Sequence, residues 1–447
     1  MSNLIQARVL KGFRDFLPAD EIERVLLTEK LTGVFRRFGF LPIDTPVLEF
    51  SEILLRKSNG ETEKQVFRFE DNGGRDVALR FDLTVPFARF IAEHRSEICF
   101  PFKRYHIAKV WRGEKPQAGR YREFIQCDFD IVGSDTASAD FEILNIIQKS
   151  FENISKADIQ IHVSHRGIFN RFLEKLGIKD NSEEVLRIVD KLGKIGEIEV
   201  LSLLSRITEN KNAQAILNYI SLGRTAGKLQ SSDFLSTLES VEKMIGGECE
   251  ETNRLREIYE IISGVGIQDY FVFDTSITRG LDYYTGIVYE TFLTKLPSIG
   301  SVCSGGRYDN LTGLYMKEAV SGVGASIGLD RLIAGLNELE KTDKKSGFTD
   351  AVIFFSEKSN PVLNYGIADY LAKQGLSVEV YTENKKMNAQ YTWAENKSIT
   401  WGIFIQENTE AKHFPSNTKV KLKNLKTRAE YKVLVSDVIN KIKDCNK

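Results

Sequence analysis

Three side chains of different chemistry fall on one face of a predicted strand in the first third of the chain. Residues 103–111 and 121–132 are rich in aromatic and β-branched residues and are joined by a polar loop, so they predict two long antiparallel strands. Because side chains of equal parity project from the same face of a strand, Phe124, Gln126 and Asp130 should lie together. A ring, an amide and a carboxylate make a poor core and a good platform for a small polar molecule. A solvated sheet face explains one such strand equally well.

Two further motifs weaken the solvated-face interpretation. Residues 279–286 hold Arg279, one carboxylate and the phenols of Tyr283 and Tyr284 in a single short segment. Arg331 begins a predicted helix directly after a glycine-rich strand, where a cation and free backbone N–H groups can meet phosphate oxygens. Arginine matches phosphate or carboxylate oxygens with paired hydrogen bonds, and tyrosine hydroxyls orient polar substrates. Each motif alone is common in structural roles, but together they indicate a substrate site.

The composition is that of a large globular chain with balanced charge. The 447 residues exceed one ordinary domain, and 42% hydrophobic beside 28% charged residues can form large cores under a polar surface. A single small module and extended disorder are both excluded. The 61 Lys and Arg residues balance 62 Asp and Glu residues, so any nucleic acid must be bound by a local basic face.

Several sequence features argue against secretion and against a metal bound by the protein. The five cysteines are scattered without a Cys-x-x-Cys pair, which disfavours a disulfide framework or a structural zinc site. Neither His162 nor His165 has a carboxylate at ligand spacing, and no His-Glu-x-x-His motif occurs, so we predict no metal site. The N-terminus has no signal or transit pattern, and no segment reaches about 18 apolar residues. We therefore expect a cytoplasmic protein.

Strand and helix signals divide the chain into five segments. Residues 1–165 mix helix and strand patterns, whereas 166–265 carry almost only helical periodicity and predict an insertion. Strand character returns at 266–339, the charged run at 340–349 predicts a linker, and 350–447 alternate strand and helix as in a small α/β domain. The last segment has 15 Lys or Arg residues against 11 Asp or Glu residues, an excess that suits an RNA-binding appendage.

These residues closely resemble one family, the histidyl-tRNA synthetases, which are class II aminoacyl-tRNA synthetases. The resemblance covers nearly the whole chain, and several of its motifs are typical of the histidine enzyme rather than of the class. The matching segments are residues 11–18, 80–86, 111–116, 119–124, 279–284 and 328–331. The resemblance implies an α+β fold with a six-stranded antiparallel catalytic sheet, a helical insertion and a C-terminal α/β anticodon-binding domain. It also implies a homodimer, since the helix before Pro46 and the neighbouring strand are similar to the dimer-forming motif of the class.

The resemblance further implies a histidine site built from acidic, amide and phenolic side chains. The matching residues are Asp82, Leu83, Thr84, Arg112, Gln126, Asp130, Arg279, Tyr283 and Tyr284. In the family pattern the α-amino group is held at the positions of Asp82, Thr84 and Gln126. The imidazole is read at the positions of Asp130 and Tyr284. Asp130 replaces the glutamate of the commonest bacterial members, so the imidazole pocket should be deeper.

The ATP site implied by the resemblance consists of Arg112, Glu114, Arg120, Phe124 and Arg331. Arg112 and Arg279 would be the catalytic residues, because two fixed guanidiniums can stabilise charge on the α-phosphate as the histidine carboxylate attacks it. Mg²⁺ would accompany ATP and no other cofactor is expected. The 3′ ribose of tRNA(His) would then displace AMP, with Lys115 and Gln117 near the acceptor end.

Two other functions remain open from the sequence. One is a non-catalytic, synthetase-like regulatory subunit of histidine biosynthesis, but such paralogues characteristically lack the anticodon domain and have degraded arginine-tyrosine motifs. The other is a synthetase for a different amino acid. Asp130 with Tyr283 and Tyr284 suits a ring with two polar nitrogens, which favours histidine.

Overall fold

The computed structural model of the chain describes residues 4–55, 63–116, 119–154, 158–225, 228–277, 283–310, 312–339, 346–356, 360–405 and 415–445. Gln117, Arg279 and the predicted linker residues 340–345 lie outside these ranges. The chain forms two compact units. One consists of Met1–Asp15 and Leu27–Lys341, and the other of Phe16–Leu26 and Thr342–Lys447.

The described strands are numbered here in chain order. They are β1 (Leu41–Pro42), β2 (Leu48–Phe50), β3 (Arg68–Glu70), β4 (Asp76–Leu79), β5 (Phe102–Trp111), β6 (Glu123–Val132), β7 (Ile159–His165), β8 (Arg224–Thr225), β9 (Lys228–Leu229), β10 (Phe271–Phe273), β11 (Ile287–Leu293), β12 (Cys303–Tyr308), β13 (Gly322–Gly328), β14 (Ala351–Ile353), β15 (Val378–Val380), β16 (Trp401–Ile405), β17 (Lys419–Asn424) and β18 (Glu430–Leu434).

The described α-helices are numbered in the same way. They are α1 (Pro18–Arg37), α2 (Ser51–Leu55), α3 (Thr84–Glu93), α4 (Ala137–Ile154), α5 (Arg166–Lys175), α6 (Ser182–Val189), α7 (Leu192–Leu204), α8 (Asn210–Ile220), α9 (Phe234–Ile245), α10 (Glu250–Gly264), α11 (Leu329–Leu339), α12 (Pro361–Lys373), α13 (Met387–Asn396) and α14 (Val438–Cys445). None of these helices is both long and apolar enough to cross a bilayer.

An eight-stranded sheet forms the centre of the larger unit, in the order β1-β5-β6-β13-β12-β11-β7-β10. The six strands from β5 to β7 in that order pair antiparallel, which confirms the predicted six-stranded antiparallel sheet. One further strand pairs in parallel at each edge of these six, β1 beside β5 and β10 beside β7. The sheet therefore has two more strands than predicted. Both edge strands have three residues or fewer, too short for a strong strand signal.

Strand β6 separates an apolar layer from a polar one. Its odd-numbered side chains Cys127, Phe129 and Ile131 are buried in a core shared with α1 and α4. The ring of Phe129 lies 4.9 Å from the ring of Phe35 on α1. The even-numbered side chains project to the opposite face, as strand parity requires. The long β5–β6 pair therefore presents its polar row away from the core, as predicted.

Residues 166–265 form helices α5 to α10, in agreement with the predicted helical composition. A two-stranded hairpin, β8 and β9, is the exception within the described part of this segment. Buried side chains of these helices, such as Phe172, Ile216 and Leu255, belong to the same hydrophobic cluster as the central sheet. The boundaries of an insertion domain stay a prediction.

The residues before α3 differ from the expected strand geometry. Strand β4 pairs with β3 in a hairpin and with β2 on its other side. In a continued strand, Asp82 and Thr84 would share one face, because their positions have equal parity. Instead, Asp82 lies in the loop after β4, where its Oδ1 accepts a hydrogen bond from the backbone N–H of Val85 at 3.2 Å, and Thr84 is the first residue of α3.

The smaller unit contains a five-stranded sheet in the order β15-β14-β16-β17-β18. β14 pairs in parallel with β15 and β16, and the remaining pairs are antiparallel. The core of this sheet includes Trp401 and Ile403 of β16 packed with Ile367 and Leu371 of α12. The predicted alternation of strand and helix from Ala351 onwards is confirmed.

Candidate functional site

A cavity of about 300 Å³ opens on the polar face of the central sheet. It is lined by side chains from β6, β12 and β13, from the start of α3 and from the loop that follows β5. The predicted site residues that line it are Asp82, Thr84, Arg112, Glu114, Arg120, Phe124, Gln126, Asp130, Tyr283, Tyr284 and Arg331. Segments that are far apart in the sequence thus contribute to one site.

Two of the predicted residues that the structure describes do not line the cavity, and two others are not described. Leu83 is fully buried immediately before α3, so it lies in the protein interior and not on the cavity wall. Lys115 is exposed in the loop after β5. Gln117 and Arg279 fall outside the described ranges.

Three carboxylates crowd one end of the cavity. Asp82, Asp128 and Asp130 are each at most 2% exposed. Burial raises the pKa of Asp82 to about 6 and the pKa of Asp128 to about 7, and the charge of Asp130 adds to both increases while that of Arg104 opposes them. Burial likewise raises the pKa of Asp130 against the effect of Arg104. A bound cation at this end would favour the ionised carboxylates.

Asp130 is already held by two side chains. The phenol of Tyr308 donates a hydrogen bond of 2.5 Å to Asp130 Oδ1, and the guanidinium of Arg104 lies 2.7 Å from Oδ2. Arg104 is fully buried, with its guanidinium carbon 4.1 Å from the centre of the Phe87 ring. Gly324 of β13 faces Asp130, and a side-chain Cβ there would lie 1.9 Å from Asp130 Oδ1. The glycine-rich stretch therefore makes room for the acid.

Gln126, Ser326 and Asp128 form a connected chain. Gln126 Nε2 donates to the Ser326 hydroxyl at 2.9 Å, and Ser326 also hydrogen-bonds the Asp128 carboxylate. Four described residues that line the cavity have a buried side-chain oxygen without a hydrogen-bond partner: Asp82 Oδ2, Gln126 Oε1, Asp128 Oδ1 and Asp130 Oδ2. Buried acceptors of this kind need donors. The acidic end can therefore bind groups that carry N–H donors, such as an ammonium or an imidazole.

Two phenols line the same acidic end of the cavity. The rings of Tyr283 and Tyr284 meet edge to face at a centroid distance of 4.9 Å. Burial raises the pKa of both phenols above the ordinary value, and neighbouring acids add to this effect. Tyr283 also shares a hydrogen bond with Thr84. Both phenols therefore stay neutral and can donate hydrogen bonds at physiological pH.

The opposite end of the cavity is cationic. Arg112 Nε donates to the backbone oxygen of Phe81 at 2.9 Å, and the guanidinium carbon lies 5.2 Å from the centre of the Phe124 ring. Arg331 Nη1 donates to the Ser301 backbone oxygen at 2.6 Å. Burial lowers the pKa of Arg331, and the nearby charges of Arg120 and Arg112 lower it further. A polyanion would relieve this repulsion, and a flat ring could stack on Phe124.

The structure adds site residues that the sequence analysis missed. Asp128 was detectable, because it has the same parity as Gln126 and Asp130 on β6. Arg14 was not: it pairs with Asp330 on α11, and its guanidinium carbon lies 3.5 Å from the centre of the Tyr121 ring. Asp330 also accepts a hydrogen bond of 2.7 Å from the backbone of Ile125. These contacts join the N-terminal segment, β6 and α11 beside the cationic end.

Known proteins resemble the chain over most of its length. A family model described as histidyl-tRNA synthetase matches residues 12–332, and one described as anticodon binding domain matches residues 351–444. A histidine–tRNA ligase of Treponema denticola is 61% identical over 446 residues, covering 99% of both chains. One from Rhodopirellula baltica is 46% identical and covers 91% of each. The crystal structure of histidyl-tRNA synthetase from Nostoc sp. PCC 7120 superimposes with a TM-score of 0.85 at 29% identity, covering 99% of this chain and 100% of that one. The chain belongs to the histidyl-tRNA synthetase family.

Proposed function

We propose that this chain is an ATP-dependent histidine–tRNA ligase. It would convert L-histidine and ATP to histidyl-adenylate and pyrophosphate, and then transfer histidine to the 3′ end of tRNA(His). The observation that carries the proposal is the polarity of one cavity, which is lined by acceptors at one end and by guanidiniums at the other. An amino acid with a cationic end and an anionic carboxylate fits between them, with its carboxylate toward the nucleotide.

The residues of the cavity suit an in-line attack. The ammonium group would bind Asp82, Thr84 and Gln126, which directs the substrate carboxylate toward Arg112. The carboxylate oxygen attacks the α-phosphorus of ATP, the bond to the bridging oxygen breaks, and pyrophosphate leaves. Fixed guanidiniums stabilise the charge that develops on the phosphoryl oxygens, so the protein supplies positioning and electrostatics and no nucleophile.

The nucleotide would occupy the cationic end of the cavity. Its adenine would stack on Phe124 beside Glu114, and its outer phosphates would meet Arg120 and Arg331. We retain Arg279 as the second guanidinium at the α-phosphate on the strength of its motif. In the second step the terminal ribose hydroxyl of the tRNA attacks the carbonyl carbon, and AMP leaves.

Magnesium would bind with ATP. Glu290 lines the cavity close enough for its charge to act on Arg331, and a carboxylate oxygen of Glu114 lies 3.7 Å from Arg120. The described residues contain no group of three or more metal-binding side chains, which fits an ion held mainly by phosphate oxygens with one or two carboxylates. The ion would neutralise the outer phosphates.

The tRNA would contact two regions of the chain. We propose that Lys115 and Gln117 lie near its acceptor end and that residues 350–447 bind its anticodon, which the family match to 351–444 supports. We also retain 1–165 and 266–339 as one catalytic domain, interrupted by the insertion at 166–265. We propose a cytoplasmic location from the need for tRNA, and the five scattered cysteines agree with it.

The proposed activity predicts histidine-dependent exchange of labelled pyrophosphate into ATP by the purified protein. The other amino acids should give no more than the background rate, because the acceptor-rich end requires ring N–H donors. Charging of tRNA(His) should follow the same preference. A folded protein without histidine-dependent exchange would refute the proposal, and a stable complex with a phosphoribosyltransferase would then favour the regulatory alternative. The intact tyrosine pair and the anticodon-domain match disfavour that alternative.

We further propose that the chain is a homodimer. Exposed apolar side chains gather on β2 and its neighbours, where Val47, Leu48 and Phe50 are each more than 40% exposed. Patches of this kind mark protein interfaces. Sedimentation should give a species of about twice 50.7 kDa, and Leu48→Glu with Phe50→Glu should shift it to the monomer. The control is Val362→Glu, an exposed apolar position on α12. A monomeric wild type at micromolar concentration would contradict the proposal.

A further inference from the structure

We propose that Asp128 is the carboxylate that accepts the imidazole N–H of bound histidine, and that Asp130 is a positioning residue beneath it. This inference rests on the proposed function and deepens it. It changes the assignment expected from the family pattern, which places imidazole recognition at Asp130.

Asp130 is committed to protein partners. Its Oδ1 accepts from Tyr308, and its Oδ2, which has no hydrogen bond among the described residues, forms an ion pair of 2.7 Å with the Arg104 guanidinium. Arg104 is fully buried, so its charge is balanced locally by Asp130. The pair therefore presents little net charge to a ligand.

Asp128 has the opposite character. It lines the cavity and is 2% exposed, and its Oδ1 has no hydrogen-bond partner among the described residues. The Ser326 hydroxyl holds the carboxylate, and the same hydroxyl accepts from Gln126 Nε2. A buried carboxylate that is oriented by a neighbour and still lacks a partner for one oxygen is a site prepared for a donor.

The ammonium group of histidine does not need this oxygen. It has three N–H donors, and three other acceptors line the cavity: Asp82 Oδ2, the Thr84 hydroxyl and Gln126 Oε1. The Gln126 amide orientation follows from its hydrogen bond to Ser326, which uses the nitrogen and leaves the oxygen free. The remaining N–H of the substrate belongs to the ring.

Distances along β6 also favour Asp128. Residues two apart on a strand are separated by about 7 Å and residues four apart by about 13 Å. With the ammonium at Gln126, a ring nitrogen only four or five covalent bonds away reaches the next residue of the row, Asp128. Asp130 is one step farther and has a short side chain. Tyr284 lies near both acids and could serve the other ring nitrogen.

The test compares Asp128→Asn with Asp130→Asn in pyrophosphate exchange by the full chain. Asp128→Asn should raise the KM for histidine by about 30-fold, the size of losing a hydrogen bond to a charged group. The KM for ATP should change by less than about threefold. Asp130→Asn should raise the histidine KM less than Asp128→Asn and should lower Tm, because Arg104 loses its carboxylate. Asp369→Asn, an exposed acid on α12, is the matched control.

A second readout separates recognition from structural damage. Asp128→Ala should admit a histidine analogue methylated on the ring nitrogen that faces this position, so discrimination between histidine and that analogue should fall by at least about 10-fold. Ser326→Ala should raise the histidine KM by a smaller factor.

Two results would overturn the inference. One is a histidine KM for Asp128→Asn within threefold of wild type together with a larger increase for Asp130→Asn. The other is unchanged discrimination in Asp128→Ala. An unstable Asp128→Asn protein would also count against it, because replacing a buried, partly unpaired carboxylate with an amide should not lower stability. Failure of the proposed function itself would show separately, as absent exchange in the wild type.

Discussion

Replacing Arg112 by alanine should lower kcat for histidine-dependent pyrophosphate exchange by about 10²- to 10³-fold, the size expected for losing a preorganised donor to the transition state. Arg112 is fixed before substrate arrives, since its Nε is bonded to the Phe81 backbone oxygen and its guanidinium lies against Phe124. Arg112 also lines the cavity. Charge that develops on the α-phosphate would meet its guanidinium without further reorganisation.

The measurement is a comparison of kcat with the KM values for histidine and ATP. A residue that acts on the transition state lowers kcat much more than it raises either KM. Arg112→Lys is the matched variant, because it keeps a charge but loses the paired hydrogen bonds, so most of the loss should remain. A kcat within about threefold of wild type in Arg112→Ala would exclude the assigned role.

Replacing Asp82 by asparagine should raise the histidine KM by about 10²-fold, because the ammonium loses both a charge partner and an acceptor. Asn keeps an oxygen that can accept the hydrogen bond from the Val85 N–H, so the loop should retain its geometry. The KM for ATP should change little. An equal increase in both KM values would indicate general damage instead.

The pKa of Asp82 adds a pH dependence to this prediction. Burial raises that pKa from 3.8 to about 6, so at pH 5.5 much of the carboxyl is protonated and cannot pair with an ammonium. The wild-type KM for histidine should therefore rise as pH falls below about 6. In Asp82→Asn the KM for histidine should still rise as pH falls, but less steeply, since the pKa of Asp128 is also raised. Identical pH profiles for the two proteins would contradict the assignment.

Stability should change in the opposite direction to activity. An acid whose pKa is higher in the folded than in the unfolded state favours folding below the unfolded pKa, and this contribution is lost as pH rises through the folded pKa. At pH 8 the buried charge of Asp82 therefore destabilises the unliganded protein. Asp82→Asn should not lower Tm at pH 8, and a clear decrease would show that Asp82 is needed for folding.

Local periodicity predicted most of the elements that carry the site. The parity of β6 placed Phe124, Gln126 and Asp130 on one face, because alternation of side chains depends only on the strand geometry. The glycine-rich segment before Arg331 likewise predicted strand β13 and helix α11, which the structure confirms. The family motifs added Asp82, Thr84 and the tyrosine pair, which no local pattern could have connected to β6.

The partners of these side chains required the folded chain. His162 lacks a nearby acid in sequence, yet its Nδ1 lies 2.8 Å from Asp274 because β10 pairs with β7. The partners of Asp130 also come from elsewhere in the chain, since Arg104 and Tyr308 lie on two other strands. The raised pKa of Asp128 depends on its burial by distant segments. Side-chain type and spacing are properties of neighbouring residues, whereas hydrogen-bond partners, desolvation and charge balance arise only when remote segments are packed together.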